Sequence, residues 1–460
     1  MSADSLNRLG VDLFLRGDFD GARLHYLAAL RIDPGFLPAM ANLAVVLGHQ
    51  NQLKPAVVLL RKILNAAPND GNQLGNLGNI LMRLERYDEA REILERVVEL
   101  MPDSPSSWYN LALLRLREGH PQEALSCMDR VEALGGSGHR ITNDRAHVLF
   151  AIGEDLHSAL ELYEARWESM IHLPPWDFHI REWKGEDLRD KTILLHAEQG
   201  YGDSIMTARF AQDLASRGAH VVLCLPHDLC YLFATQDWPK VSVLNMDELN
   251  PERAKNFDFH SPMYGAMRWL RIEQDLIDPR PYLVAPPIVG PRVVTPGSFN
   301  IGICWASGAR GGEYDWRRRV SPLDLWLSIA ELPGVQLHSL QKGPDEGDIV
   351  SLGAEAIILD ETPSFRSWAD TAAFIAQLDL VVTVDTAVGH LAGAMGKSVW
   401  MLSQYNHCWR WWNIHEGSGR PWYSTMEIIR QKSPGDWAGQ LLQVRERLRM
   451  RDGNVRSLAA

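Results

Sequence analysis

Hydrophobic positions in the first third of the chain recur every 34 residues. Leucines, small residues and closing prolines all keep this interval: Leu9, Leu43, Leu77 and Leu111; Gly10, Ala44, Gly78 and Ala112; Ala22, Ala56, Ala90 and Ala124; Pro34, Pro68 and Pro102. A weaker fifth copy ends near residue 167. This period predicts helix–turn–helix units over residues 1–170. One unit cannot bury its own apolar face, so we expect about five units to stack into a solenoid with a groove.

The hydrophobic pattern changes after a proline-containing segment, 171–190, which we interpret as a packed linker. Continuous apolar runs then alternate with amphipathic stretches, which is typical of parallel strands joined by helices. We predict two such halves, residues 191–297 and 298–460, with a final helix packing back across them. The expected fold class is therefore α + α/β: a solenoid followed by two Rossmann-like sheets that face a cleft at the carboxyl ends of their strands.

Charge and composition exclude several classes of function. The net charge of −12 argues against nucleic acid as the main partner. No apolar run is long enough to span a membrane, the N-terminus lacks signal-peptide features, and the five cysteines are scattered. These features predict a cytoplasmic protein without a metal site. Asp18 and Asp20 mimic an Asp-x-Asp metal motif, but the repeat places them in a turn between helices.

The stretch "LLHAEQGYGDSIMTARF" ends a predicted strand with Gly200, Gly202 and Asp203 and then becomes helical. The third glycine of a dinucleotide fingerprint and the Gly-Lys-Ser/Thr of a P-loop are both missing. The glycines predict a turn, formed by residues 199–203, that permits close backbone approach and a positive φ. Asp203 has two possible roles, an N-cap of the helix or a catalytic base in the cleft.

The second half carries the similar stretch "VVTVDTAVGHLAGAMGK". The free amides at the start of its helix and the hydroxyl of Thr386 can bind phosphate oxygens, and small Ala387 and Gly389 leave room for a diphosphate. His390 can bond a phosphate or buttress the loop, whereas Asp385 is expected to accept backbone amides. An ordinary tight turn is the alternative interpretation of the whole stretch.

Further donor-binding candidates follow other strands of the second half. They are Ser307, Gln341, Lys342 and Arg319, the last within the run Arg317–Arg319. A fixed cation is expected because a leaving diphosphate develops negative charge and no metal motif is present to neutralise it. A solvated surface turn is the alternative for the arginines. Tryptophans between residues 405 and 426 can form either a stacking wall beside Arg410 or a core between the halves.

Acceptor binding is predicted in the repeats and in the first half. Asn42, Asn76 and Asn110 keep the repeat interval and can grip a peptide backbone, since each amide has a donor and an acceptor. Local hydrogen bonding is their alternative role. In "FDFHSPMYG", which we interpret as following a strand, Asp258 and His260 are expected at the acceptor side, with His260 as a rival base.

The segments "GYGDSIMTARF", "SLQKG" and "VDTAVGHLAGAMGKSVW" resemble the heptosyltransferase-like family of GT-B glycosyltransferases. Together with the repeats, the chain resembles bacterial tetratricopeptide-repeat glycosyltransferases. The resemblance implies an inverting, metal-independent enzyme with Asp203 as base and with Asp385, Thr386, Ala387, Gly389 and His390 at the donor diphosphate. Arginines replace the donor-side lysine of that family near residues 306–319.

The same resemblance implies a nucleotide-sugar substrate, no further cofactor, and an acceptor protein such as flagellin or another surface protein. An enzyme acting on a glycolipid or saccharide, with repeats serving only for docking, is one alternative. A repeat scaffold with a relic GT-B domain is another.

Overall fold

The structure is a computed structural model that describes residues 1–153, 155–169, 180–272, 277–287, 294–307, 319–343, 345–406, 408–411 and 422–458. The chain divides into two compact units, Met1–Ile152 and Gly153–Ala460. The predicted fold class is confirmed, because helical repeats are followed by two parallel sheets.

The first unit consists of antiparallel helix pairs in which each helix also packs on the next pair. The helices are α1 (Ala3–Leu15), α2 (Phe19–Ile32), α3 (Leu37–His49), α4 (Leu53–Ala66), α5 (Gly71–Arg83), α6 (Tyr87–Leu100), α7 (Pro105–Arg117), α8 (Pro121–Ala133) and α9 (His139–Ile152). Asp18 caps α2 by accepting from the Gly21 amide at 2.8 Å. Asp18 thus lies at the end of the turn that the repeat period predicts, whereas Asp20 is the second residue of α2.

The small residues of the repeats lie where paired helices are closest. A Cβ atom on Gly10 would lie 2.5 Å from the Tyr26 ring, and one on Gly78 would lie 2.5 Å from Leu94. Both distances are far below a van der Waals contact. A larger residue at these positions would push α1 away from α2, or α5 away from α6. This explains why each repeat has a small residue there.

The second unit begins with α10 (Leu156–Tyr163) and α11 (Arg166–Ser169). The sequence grouped these residues with the repeats up to residue 170, whereas their contacts place them in the second unit. The reason is visible at Arg166, which is fully buried and bonds the Glu198 carboxylate at 2.6 Å. Residues 171–179 of the predicted linker, including Trp176 and Phe178, lie outside the described residues, but Trp183 is fully buried as an apolar anchor.

The first sheet is parallel and has the strand order β3-β2-β1-β4. Its elements are β1 (Thr192–His196), α12 (Tyr201–Thr207), α13 (Phe210–Ser216), β2 (His220–Leu225), α14 (His227–Ala234), β3 (Val241–Asn245), α15 (Pro251–Ala254), β4 (Phe259–Pro262) and α16 (Met263–Trp269). The strand β4 pairs directly with β1. Residues after β1 and after β4 therefore meet at the same carboxyl edge of the sheet.

The second sheet has six parallel strands in the order β10-β9-β8-β5-β6-β7. Its elements are β5 (Phe299–Cys304), α17 (Leu327–Ala330), β6 (Val335–Ser339), α18 (Asp348–Leu352), β7 (Ile358–Asp360), α19 (Trp368–Ile375), β8 (Leu380–Val384), α20 (Ala387–Ala394), β9 (Val399–Ser403), β10 (Met426–Arg430) and α21 (Trp437–Leu458). Strand β10 was not predicted. The connection between β5 and β6 contains a 3₁₀ turn, Leu323–Trp326, followed by the short α17.

The final helix differs from the prediction that it packs across both halves. Trp437, Leu441, Val444 and Leu448 of α21 join the core of the second sheet, together with Ile303 and Val382. Its apolar face therefore covers the strands of its own half. The halves are instead joined by residues 277–287, where the amides of Tyr282 and Leu283 both donate to the Ala394 carbonyl.

Candidate functional site

The turn after β1 is shorter than the sequence suggested. Helix α12 already begins at Tyr201, with Gly200 as its N-cap residue and no side-chain cap. Asp203 is the third helical residue. Its carboxylate is engaged elsewhere, so the N-cap role considered for this side chain is not what the structure describes. The Gly-x-Gly-Asp stretch is the first turn of a helix, and the Asp203 carboxylate faces Tyr264 and Arg410.

Neither glycine has a positive φ, and Gly202 permits a close approach between helices. Gly200 has φ of −68°, and neither Gly200 nor Gly202 is among the residues with positive φ. A Cβ atom on Gly202 would lie 2.9 Å from His390 Cδ2 and 3.4 Å from Ala387 Cα. Helix α12 of the first half thus packs on the start of α20 of the second half, and a side chain at position 202 would separate them.

The Asp203 carboxylate lies between the two halves and is largely buried, with 17% of its side chain exposed. It accepts a hydrogen bond from the Tyr264 hydroxyl at 2.6 Å and forms an ion pair with Arg410. Burial alone would raise the pKa of this carboxyl, but the charge of Arg410 and the Tyr264 bond hold the pKa below its ordinary value. In this arrangement Asp203 is ionised and a weak base.

The predicted diphosphate loop forms the N-terminus of α20. Thr386 is the N-cap residue, and its hydroxyl lies 3.5 Å from the Gly389 amide and 2.8 Å from the Thr383 hydroxyl. Asp385 is buried, forms an ion pair with Arg319 at 3.7 Å and lies 3.9 Å from the ring of His390. These contacts, and not bonds to the backbone amides that we expected, are the ones described for Asp385. The carboxylate therefore holds the Arg319 cation beside the helix start.

His390 is a neutral, buried histidine at the junction of the halves. Its Nδ1 lies 2.9 Å from the Tyr423 hydroxyl, and its ring stacks on Trp411 with a centroid separation of 5.1 Å. Burial lowers the pKa of His390 to about 4, with Asp385 opposing and Arg410 reinforcing the shift. Since Gly202 also lies against this ring, His390 is in the position of a buttress that supports both turns.

The other predicted donor residues have different surroundings. Arg319 lies beside Asp385, and the Ser307 hydroxyl is buried near the same strand end. Gln341 accepts from the Ala306 amide at 2.9 Å, so it fixes the loop after β5, and the Lys342 ammonium donates to the Phe365 carbonyl at 2.6 Å. Arg317 and Arg318 lie outside the described residues. Of the cations considered, Arg319 is therefore the one that the structure brings to the diphosphate loop.

His260 and Asp258 are not brought to Asp203. Phe259 and His260 lie within β4, not after a strand, and His260 Nδ1 lies 3.3 Å from His196 Nε2. Asp258 precedes β4 and accepts from the amide of Thr192, the first residue of β1, at 2.8 Å. It therefore lies at the amino edge of the sheet, opposite the edge where β1 delivers Asp203. Burial lowers the pKa of His260, which disfavours a protonated role.

A buried polar network contacts Tyr264 and Arg410, the two partners of Asp203. The Glu198 carboxylate accepts from Arg166 and from the Tyr264 amide, at 2.6 and 2.9 Å. Gln199 bonds the Tyr163 hydroxyl at 2.7 Å and lies 3.3 Å from Arg410. Burial raises the pKa of Glu198, against the effect of Arg166. The loop residues before the glycines thus hold both partners of Asp203 in place.

Every tryptophan that the structure describes in the aromatic stretch, residues 405–426, belongs to the core. Trp409, Trp411, Trp422 and Tyr423 are all buried. The Trp422 indole donates to the Arg410 carbonyl at 2.8 Å, and the ring of Trp409 packs near Tyr264 at 5.8 Å. Trp412 lies outside the described residues. These rings fix the backbone that carries Arg410 and exclude water around it.

The asparagines of the repeats lie on α3, α5 and α7, the first helices of three successive pairs, and all three are half-buried. Asn42 donates to Asn7 of α1 at 3.0 Å, and Asn76 lies 3.4 Å from the Gln73 side chain. The Asn110 amide lies beside Gly75 of α5. The three side-chain amides thus lie on successive first helices, but those of Asn42 and Asn76 already use one hydrogen-bond donor in contacts within the repeats.

Sequence reasoning missed Tyr264, Glu198 and Gln199 as site residues, and it considered Arg410 only as a neighbour of tryptophans that form either a stacking wall or a core. Tyr264 immediately follows β4, so recognition of β4 as a strand adjacent to β1 would have placed it at the same edge as Asp203. For Arg410 there was no comparable signal, because it is separated from Asp203 by 207 positions.

Comparisons with known proteins confirm the repeats. Residues 13–78 and 72–137 match tetratricopeptide repeat families. The protein FlbA of Caulobacter vibrioides is 26% identical over 454 residues, which cover 92% of this chain and 74% of FlbA. The type IV pilus assembly protein PilF of Pseudomonas aeruginosa is 29% identical over 149 residues, which cover 32% of this chain and 59% of PilF.

Among solved structures, the tetratricopeptide-repeat protein TTC0263 of Thermus thermophilus aligns with 38% of this chain and 93% of its own, with 20% identity and a TM-score of 0.34. In the part of the chain that the structure describes, no helix is long and apolar enough to cross a membrane. Across the same residues, no cluster of three metal-binding side chains is found.

Proposed function

We propose that the second unit is an inverting, metal-independent glycosyltransferase of GT-B type that transfers a sugar from a nucleotide-sugar to a hydroxyl group. One observation carries this proposal. The packing of Gly202 against Ala387 and His390 brings a buried carboxylate to the start of a helix whose amides suit a diphosphate. A base and an anion site side by side, where two parallel sheets meet, fit a glycosyl transfer.

In the proposed reaction, the acceptor oxygen attacks the anomeric carbon while the bond from that carbon to the diphosphate oxygen breaks. The acceptor proton passes to Asp203, and the bonding electrons leave with the nucleotide. Attack from the side opposite the leaving group inverts the anomeric centre. The amides at the start of α20, Thr386 and Arg319 would stabilise the charge on the departing diphosphate.

The donor part of the proposal is tested by thermal shift with ADP, UDP, GDP and CMP. A nucleotide at 100 times its dissociation constant should stabilise the protein by roughly 2.7 kcal/mol. The double variant Thr386→Ala, His390→Ala should lose this response, whereas Asn76→Ala, in the repeats, should keep it. Transfer should also persist in EDTA. A wild-type protein that responds to none of the nucleotides would favour a repeat scaffold with a non-catalytic second unit.

We further propose that the acceptor is a protein held by the repeats. The support is the matched tetratricopeptide repeats and the amides of Asn42, Asn76 and Asn110 on successive first helices. A flagellin or another surface protein is the class that the family resemblance suggests. The triple variant with Ala at these positions should lose transfer to protein while donor hydrolysis continues. Equal rates of protein transfer would leave the asparagines with a local role.

A further inference from the structure

Arg410 joins the two halves at the centre of the site. Its guanidinium forms an ion pair with Asp203, lies 3.3 Å from the Tyr264 hydroxyl and lies 3.3 Å from the Gln199 amide oxygen. Only 14% of its side chain is exposed. Asp203 and Tyr264 belong to the first half, whereas Arg410 follows β9 of the second. A cation from the donor half thus neutralises the carboxylate that we assign as base.

The same arginine is close to the diphosphate loop. The next residue, Trp411, stacks on His390, and the Cys408 thiol lies 2.7 Å from the Arg410 guanidinium. The charge of Arg410 contributes to the low pKa of His390, after burial. Burial raises the pKa of the Cys408 thiol, and Asp385 adds to this shift while Arg410 and Arg319 oppose it. Arg410 therefore has the base on one side and the residues around the α20 N-terminus on the other.

This arrangement conflicts with catalysis as long as the ion pair persists. Among the residues that the structure describes, the other titratable groups that face Asp203 are Tyr264 on α16, His390 on α20 and Tyr423. His390 is neutral at pH 7 and both tyrosines are protonated, so in this part of the chain Arg410 is the cation that holds the carboxylate ionised. A carboxylate in this state accepts a hydroxyl proton poorly.

A bound diphosphate would change the balance. It carries more negative charge than one carboxylate, and its oxygens match the planar donors of a guanidinium. We propose that Arg410 is a donor-binding residue that moves from Asp203 to the diphosphate when the nucleotide-sugar binds, and thereby releases the base. This inference rests on the proposed function. It predicts an order of events in which the donor binds before the acceptor hydroxyl can lose its proton.

The release has a measurable consequence for protons. When Arg410 leaves, burial is the main remaining influence on Asp203, and the pKa of its carboxyl rises. At weakly acidic pH the carboxyl then takes up a proton as the diphosphate binds. The diphosphate can also take up protons, but this part of the uptake is the same for every variant. A difference in proton uptake between wild type and a variant at position 203 therefore reports on the Asp203 carboxyl.

The test is calorimetry with inorganic pyrophosphate on the full chain at pH 5.5 to 6.5, in buffers of different ionisation enthalpy. The wild type should take up more protons per pyrophosphate than Asp203→Asn. Arg410→Gln should weaken pyrophosphate binding by roughly 10- to 100-fold, the loss expected for a charged contact, and Arg410→Lys should lie in between. Arg410→Gln leaves the buried Asp203 carboxylate without its counter-ion, and this charge could itself repel pyrophosphate. The affinity is therefore also measured for the double variant Asp203→Asn, Arg410→Gln, in which the carboxylate is absent.

The outcomes separate this inference from the function on which it rests. Equal affinity of wild type and both Arg410→Gln variants would overturn the role of Arg410 while the donor site stands. Equal proton uptake by wild type and Asp203→Asn would overturn the release of the base. If neither pyrophosphate nor any nucleoside diphosphate binds the wild type, the proposed glycosyltransferase is itself wrong.

Discussion

The two halves of the second unit use the same strand-to-helix turn in different ways. After β1, the helix α12 has a glycine as N-cap and no side-chain cap, and the nearby carboxylate faces Tyr264 and Arg410. After β8, the helix α20 has Thr386 as N-cap, and the carboxylate before it pairs with Arg319 and lies beside the neutral ring of His390. One turn places its acid against a cation of the opposite half, and the other pairs its acid with a cation of its own half.

This difference teaches that the type of residue in a turn does not define its role. Both turns offer an aspartate within three residues of the helix start. What separates the two aspartates is the origin of the arginine that pairs with each of them. Asp203 pairs with Arg410 of the opposite half, whereas Asp385 pairs with Arg319 of its own half. The following predictions test that separation, beginning with the largest effect.

The Asp203→Asn variant should slow transfer by roughly 10²- to 10⁴-fold, because the base is lost. The structure also predicts a loss of stability, since Arg410 keeps a buried charge without its counter-ion. We would measure transfer rate, nucleotide affinity and urea unfolding. Asp258→Asn is the matched control, an acid of the same half at the opposite edge of the sheet, and should transfer normally. A near-normal rate for Asp203→Asn would remove this carboxylate from catalysis.

Acid should affect the two turns at different pH. The folded pKa of His390 is about 4, below its ordinary 6.5, so the unfolded chain binds more protons between these values. The free energy of unfolding should therefore fall with pH from 6.5 to 4, by up to about 1.4 kcal/mol per pH unit from this residue. The pKa of Asp203 is lowered in the folded protein, so its contribution to the free energy of unfolding is lost only at a pH below the range in which His390 acts.

The measurement is urea unfolding at several pH values from 7.5 to 4. His390→Gln should be less stable at pH 7.5 but should show a shallower decrease on acidification. His196 is buried, His260 is half-buried, and both remain in the variant with lowered pKa values, so the slope should shrink but not vanish. The same slope in wild type and variant would show that folding does not lower the pKa of His390.

Gly202→Ala should destabilise the contact between the turns. Its new Cβ would lie 2.9 Å from the His390 ring, and crowding of a packed site typically costs about 1–3 kcal/mol. Gly347→Ala is the matched control, because the structure describes open space around its Cβ and no positive φ there. Thermal and urea unfolding of both variants give the comparison. Equal stability would mean that α12 and α20 separate without cost.

Thr386→Ala should have the smallest effect on stability, because the loss of a helix cap typically costs about 0.5–2 kcal/mol. The Thr386 hydroxyl lies 3.5 Å from the Gly389 amide, which is a long hydrogen bond, so the loss should be at the lower end of that range. Thr386→Ser keeps the hydroxyl and should restore both stability and nucleotide affinity. A serine variant as weak as the alanine variant would assign the role to the Thr386 methyl group.

By itself, the sequence determined the repeat unit, the fold class and nearly every strand. The reason is that period and apolar runs are local: a 34-residue repeat fixes which residues pair, as Gly10 against Tyr26 shows, and a buried parallel strand is apolar throughout. The same locality supplied the two turns after β1 and β8 as the places to look for a site. Strand β4 was missed because its four residues include His260 and Pro262.

Only the tertiary structure decided what the turns do. The sequence predicted positive φ at the glycines, a cap role or a base role for Asp203, and an acceptor-side role for Asp258. The close approach of Gly202 to His390, the ion pair of Asp203 with Arg410, and the position of Asp258 at the opposite edge all depend on where distant segments meet. A side chain's partner sets its pKa and its freedom to react, and contacts between residues some 200 positions apart are absent from any local pattern.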